Sequence, residues 1–131
     1  MRQLIFILMI IFAACSTQKV AKKQAPRIEV NDSTQYELLV FDTEFETWYT
    51  LKNSPASSRS KDYYHNWNIQ YVQEWNNRVT TSHNSQIYGG PIDYHASEDY
   101  PFEIEHKLFY YFQFVEQELK IPLLPNSPRA T

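Results

Sequence analysis

Three groups of residues in this chain have types and spacings that suit chemistry. The densest is Asp93-Tyr-His-Ala-Ser-Glu-Asp-Tyr100, which crowds Asp93, His95, Glu98 and Asp99 into one short stretch. Oxygen ligands this close together suit a hard cation such as Ca²⁺. The alternating ligands and distal Glu of an EF-hand loop are missing, however, and an exposed acidic loop before the next helix is the simpler reading. The second group is Glu103-Ile-Glu-His106, with the Glu-x-x-His spacing of di-iron carboxylate bundles. Such a centre needs a second copy of the motif and two further carboxylates, and the other long helical stretch offers only Glu74, so chance spacing accounts for it. The third group is Trp48, Trp67 and Trp75, whose rings can stack on a glycan, a peptide or another small ligand where they are exposed.

No Gly-x-Ser-x-Gly elbow and no paired nucleophile and base appears. Two carboxylates flanking a sugar would suit glycoside hydrolysis, but 15 acidic residues allow that account in almost any chain. With 2 Gly there is also no glycine-rich loop to cradle a phosphate. The expectation is therefore a non-enzymatic protein with no catalytic residues, no metal and no cofactor.

The most specific chemistry lies at the N-terminus. Met1-Arg2-Gln3 supplies positive charge, Leu4 to Phe12 is an unbroken apolar run, and Ala13-Ala14 leads into Cys15, the only cysteine. The run is about half of the ~20 residues needed to cross a bilayer, which makes residues 1–14 a signal peptide. Small residues directly before a cysteine resemble a bacterial lipobox, although Phe12 replaces the usual aliphatic residue. Cys15 is then the lipid-attachment residue, and its acyl chains hold the protein at a membrane, each buried methylene contributing about 0.8 kcal/mol. A lipidated Cys15 leaves no thiol for disulfide, nucleophile or metal ligand.

Residues 15–34 read as a basic tether. Lys19, Lys22, Lys23 and Arg27 occur there with little to bury, too little to offset the ordering entropy. Beyond them, seven basic residues face 15 acidic ones, a formal charge of −8 from Ile28 to Thr131. A body so acidic disfavours a nucleic-acid partner. Neither an acidic run nor an Asp follows Cys15, which points to the periplasmic face of the outer membrane rather than to surface export or inner-membrane retention.

The elements that must position these groups form one small domain over residues 35–121. Its class is α+β and mainly α, with a core drawn from 10 Tyr, 6 Phe and 3 Trp. Tyr36 to Asp42 reads as a short strand buried on both faces. Asp42 and Thr43 can cap a short helix carrying Phe45, Trp48 and Tyr49. Lys52 to Ser60 is a loop, and Ser60 or Asp62 caps a central helix. On that helix Tyr64, Trp67, Tyr71, Val72, Trp75 and Val79 share one face at 100° per residue. It is expected to be the element on which the others pack. Asn68 and Asn76 lie on its flanks as polar ties to the Asp42 loop or the Ile92 segment. Ile87 to Tyr94 is readable either as a second short strand or as an ordered loop, with Pro91 confining a strand to an edge. Pro101 starts a last helix whose stripe runs from Ile104 to Leu119 and which Pro122 ends. Residues 122–131 read as a partly frayed tail.

The motifs Asn66-Trp-Asn-Ile-Gln-Tyr-Val-Gln-Glu-Trp-Asn-Asn-Arg78, Ile92-Asp-Tyr94, Asp99-Tyr100 and Lys107-Leu-Phe-Tyr-Tyr-Phe112 resemble a domain-of-unknown-function family of small lipoproteins from Bacteroidetes-type bacteria. The resemblance covers about Tyr36 to Leu119. It implies an envelope lipoprotein and carries over no functional residue. The functional expectation is an adaptor or accessory protein tethered to the membrane through Cys15, with an envelope protein as partner. The alternative is a ligand-binding module using exposed Trp and Tyr.

Overall fold

A computed structural model describes residues 23–31, 33, 35–81 and 88–130 of the chain. The expected signal peptide, Cys15 and the first part of the expected tether lie outside the described residues. Two strands and three helices follow one another: β1 (Arg27–Val30), β2 (Tyr36–Leu39), α1 (Thr43–Lys52), α2 (Lys61–Thr81) and α3 (Phe102–Gln117), with a 3-10 turn at Pro55–Ser57 between α1 and α2. The mainly helical α+β class expected from the sequence is the one observed.

The helices form where periodicity and caps coincide. Asp42 caps α1 by accepting hydrogen bonds from the main-chain N–H groups of Glu44 (2.9 Å) and Phe45 (3.2 Å). Of the two candidate caps for α2, Ser60 is the one used, its hydroxyl accepting from the Tyr63 N–H at 3.2 Å. Pro101 stands at the start of α3, with Glu103 and Glu105 in the first turn, where the helix dipole favours carboxylates.

The organising element is α3 rather than α2. Every residue from Ile104 to Val115 except Lys107 is buried, because α1, α2 and β2 all pack on this helix. Phe45 and Trp48 of α1 meet Phe114 edge to face at 5.6 and 5.7 Å between ring centroids. From α2, Tyr71 stacks on Phe112 at 4.8 Å and Trp75 meets Tyr111 at 5.8 Å.

Several sequence expectations change. Arg27–Val30, placed within the tether, forms β1 and pairs antiparallel with β2 in the register Ile28 to Leu38 and Glu29 to Glu37. The turn between the strands is built on Asn31, whose side-chain oxygen accepts from the N–H groups of Ser33 and Gln35 at 3.0 Å each. Paired backbone and the burial of Leu38 outweigh the entropy of ordering this stretch. Since β2 belongs to a two-stranded sheet, only Leu38 is fully buried on it, and the strand is not covered on both faces.

Tyr88 to Tyr94 contains no strand. Tyr88, Gly89 and Gly90 form a turn with positive φ at both glycines (69° and 123°), and the position of a Cβ on Gly89 lies 2.3 Å from the Lys23 carbonyl oxygen. Ile87 lies outside the described residues. Helix α3 stops at Gln117, before Leu119 and Pro122, because the chain reverses at Lys120 (φ 57°) and Ile121 donates back to the Val115 carbonyl at 3.1 Å.

The tail, expected to fray, is held along 122–130. Arg78 donates to the carbonyls of Pro122 (2.7 Å) and Leu123 (3.1 Å), and Glu116 accepts from the N–H groups of Leu123 and Leu124. The Leu123 side chain is buried.

Candidate functional site

A cluster of groups with acid–base chemistry is built where α2, α3 and the 88–100 segment meet. His65 and Asn68 stand three residues apart on α2 and so project from one side of it, towards the first turns of α3. There Glu105, 1% exposed, receives them. His65 Nδ1 lies 2.8 Å from Glu105 Oε1, and the Asn68 amide donates to Oε2 at 2.7 Å and to the Glu105 main-chain carbonyl at 2.8 Å. Tyr94, from the irregular segment, places its hydroxyl 3.0 Å from both carboxylate oxygens and 2.8 Å from His65 Nδ1.

The electrostatics follow from this geometry. Burial, the Glu105 charge and the hydrogen bond to Glu105 together push the Tyr94 phenol well above its ordinary value, so it stays protonated and donates. A buried carboxylate is tolerable only with such donors around it. The Asn68 side-chain oxygen is buried and has no partner among the described residues. The cluster reaches solvent through His65, whose side chain is 25% exposed. A carboxylate, an imidazole and a phenol in mutual contact can hold and pass a proton. Apart from the Tyr94 phenol, the described residues bring no hydroxyl or thiol into hydrogen-bond contact with this imidazole, and they gather no set of three metal-ligating side chains.

A family model described as a family of unknown function (DUF6146) matches residues 3–127. The chain belongs to this family. It matches no curated protein and no solved structure.

In this DUF6146 chain the candidates read from the sequence are dispersed. His95 Nε2 contacts Asp93 at 3.1 Å, Glu98 accepts from the Tyr36 hydroxyl at 3.1 Å, and Asp99 pairs with Lys61, whose ammonium holds the Asp99 carboxyl below its usual range. Asp93 and His95 thus face each other while Glu98 and Asp99 turn to other neighbours, and among the described residues no three of these ligating groups come together. In the Glu-x-x-His spacing, Glu103 is exposed while His106 is buried against α1, where Nδ1 lies 2.8 Å from the Tyr49 hydroxyl.

The tryptophans of the DUF6146 chain also diverge. The Trp75 indole donates to the Gly90 carbonyl at 3.0 Å and Trp48 donates to Glu118 at 3.1 Å, both rings being buried. Trp67 is half-buried beside Tyr71. Of the two flanking asparagines, Asn76 does tie the Ile92 segment, exchanging bonds with the Ile92 carbonyl (2.9 Å) and N–H (2.8 Å), whereas Asn68 turns to Glu105.

Sequence reasoning missed Glu105, His65 and Tyr94 as a group. The available signal was Asn68, which falls between Tyr64 and Tyr71 on the buried stripe of α2 and therefore needs a polar partner inside.

Proposed function

We propose that this chain is a lipid-anchored envelope protein of the Bacteroidetes type, held through Cys15 at the periplasmic face of the outer membrane, with its folded body acting as a non-enzymatic adaptor or accessory subunit. The anchor half rests on the sequence: a charged start, an apolar run too short to span, two alanines and a single cysteine. No helix among the described residues is long and apolar enough to cross a membrane.

The adaptor half is carried by one observation. The groups with the most chemical potential are satisfied by each other: Glu105 by His65, Asn68 and Tyr94, and the Trp48 and Trp75 indoles by Glu118 and Gly90. Such commitments stabilise a scaffold and leave the outer surface for partners.

Metabolic labelling with an alkyne-bearing fatty acid tests the anchor. The wild-type chain is expected to label and Cys15→Ser is not, and equal labelling of both overturns the assignment. For the adaptor reading, affinity isolation of the tagged chain from detergent-solubilised envelope is expected to yield a stoichiometric partner that Cys15→Ser fails to retain. Recovery of the chain alone refutes it.

A further inference from the structure

We propose that the cleft between the 3-10 turn, the start of α2 and the C-terminal segment is a binding site for a small anion bearing phosphate or carboxylate oxygens. The cleft has a volume of about 340 Å³, which suits a small ligand. Arg59 and Arg129 both line it, although 70 positions separate them in sequence, and no Asp or Glu is among its lining residues.

That absence stands out in a body of formal charge −8 from Ile28 to Thr131, in which seven basic residues face 15 acidic ones. The other two arginines of the described residues are each paired with a carboxylate, Arg27 with Glu29 and Arg78 with Glu74. Arg59 and Arg129 have no carboxylate partner among the described residues, and these two converge on one cleft. The long-range field of the body opposes an anion, so binding here has to come from local contacts. Guanidinium groups supply them, because their planar fork of N–H donors matches the oxygens of phosphate and carboxylate.

The floor of the cleft is arranged to help. Tyr64 is 1% exposed, and its hydroxyl oxygen accepts the Arg59 main-chain N–H at 2.8 Å. That bond occupies a lone pair of the Tyr64 oxygen and leaves its hydrogen available as a donor beside the cleft it lines. The Arg59 guanidinium lies 5.9 Å from the Tyr63 ring centroid, which supports it over that wall. On the opposite wall the C-terminal segment is fixed by the bond from the Ala130 N–H to the Gln113 side-chain oxygen at 3.0 Å, which locates the neighbouring Arg129. The inference depends on neither the lipid anchor nor the adaptor reading.

The test is an NMR titration of the full-length chain in a nonionic detergent, following the Arg59 main-chain amide and the arginine Nε–H resonances. Three probes are used: inorganic phosphate, citrate and dihexanoyl phosphatidylglycerol below its micelle concentration. Saturable shifts confined to Arg59, Arg129 and the Tyr63–Tyr64 region are expected with at least one of them. Because both arginines are exposed, Arg59→Gln and Arg129→Gln leave the fold intact, and each should weaken binding by about tenfold or more. Phosphate or citrate binding as tight as that of the phospholipid assigns a free anion as the ligand, and tighter phospholipid binding assigns a lipid headgroup. The absence of saturable shifts with all three probes, or shifts that persist unchanged in the double variant, overturns the proposal.

Discussion

Mild acid should weaken this fold through His106, by an amount that can be isolated from every other titrating group. The ring is 3% exposed, stacks on Tyr110 with centroids 4.5 Å apart and meets the edge of Tyr64 at 4.9 Å. Its Nδ1 is 2.8 Å from the Tyr49 hydroxyl. Burial pushes the Tyr49 phenol up to about 12, so that hydroxyl remains protonated and donates, and the imidazole accepts in its neutral form. Burial in turn pushes the imidazole below its ordinary value of 6.5.

The unfolded chain protonates the same ring near 6.5, so between that value and the lower folded one the unfolded state binds more protons. Stability from His106 is therefore complete above about pH 6.5 and is lost as the pH falls through this window, at up to about 1.4 kcal/mol per pH unit. Urea unfolding followed by near-ultraviolet circular dichroism at pH 7.5 and 5.5 reads the effect. His106→Gln keeps an acceptor for Tyr49 and cannot titrate, while His65, Glu105 and the surface carboxylates are common to both proteins. Wild type is expected to lose more stability than the variant between the two pH values, by at most about 1.4 kcal/mol. Parallel losses in the two proteins, or a gain in the wild type on acidification, refute the reasoning.

Asn76→Ala should cost about 3 kcal/mol, because the N–H and C=O of the buried Ile92 both lose their partner and the surrounding segment offers no regular pairing in exchange. Thermal unfolding checks it against Asn77→Ala, an exposed neighbour expected within about 0.5 kcal/mol of wild type, and a loss below about 1 kcal/mol for Asn76→Ala counts against the tie. Glu105→Leu should destabilise by about 2 to 4 kcal/mol, since it removes the carboxylate that accepts from the Tyr94 hydroxyl and takes one of the two acceptors from the Asn68 amide. Stabilisation by Glu105→Leu in denaturant titrations would mean that the cluster is maintained at the expense of the fold, which is the mark of a functional site.

The parts of the fold governed by local patterns were legible. α1 and α2 follow a 3.6-residue repeat with Asp42 and Ser60 as caps, and α3 follows one behind Pro101. β1 was not, because four residues with two apolar side chains carry almost no periodic signal, and its pairing with β2 depends on Asn31 closing the turn. The ordered tail was not legible either, because nothing local marks Arg78, 44 positions before Pro122, or Gln113, 17 before Ala130, as its partners. The same reason hid the interior cluster. Asn68 signals an internal partner, but nothing local says that Glu105 and Tyr94 are the groups that meet it.

These long-range ties share a direction, and that direction bears on function. Polar atoms on the helices reach out to main-chain groups of segments that have no regular structure: Trp75 to Gly90, Asn76 to Ile92, Arg78 to Pro122 and Leu123, and Gln113 to Ala130. Such segments have no ladder or helix to satisfy their backbone, so each bond from a fixed helix replaces a missing backbone partner. Asn, Arg and Gln positions that look like candidates for recognition are thereby used up in holding the 88–100 and 121–130 segments in place. Function is then best sought in side chains that perform no such service. Among the arginines of the described residues, the two without a carboxylate partner are Arg59 and Arg129, and the tail held by Gln113 is what sets the second beside the first.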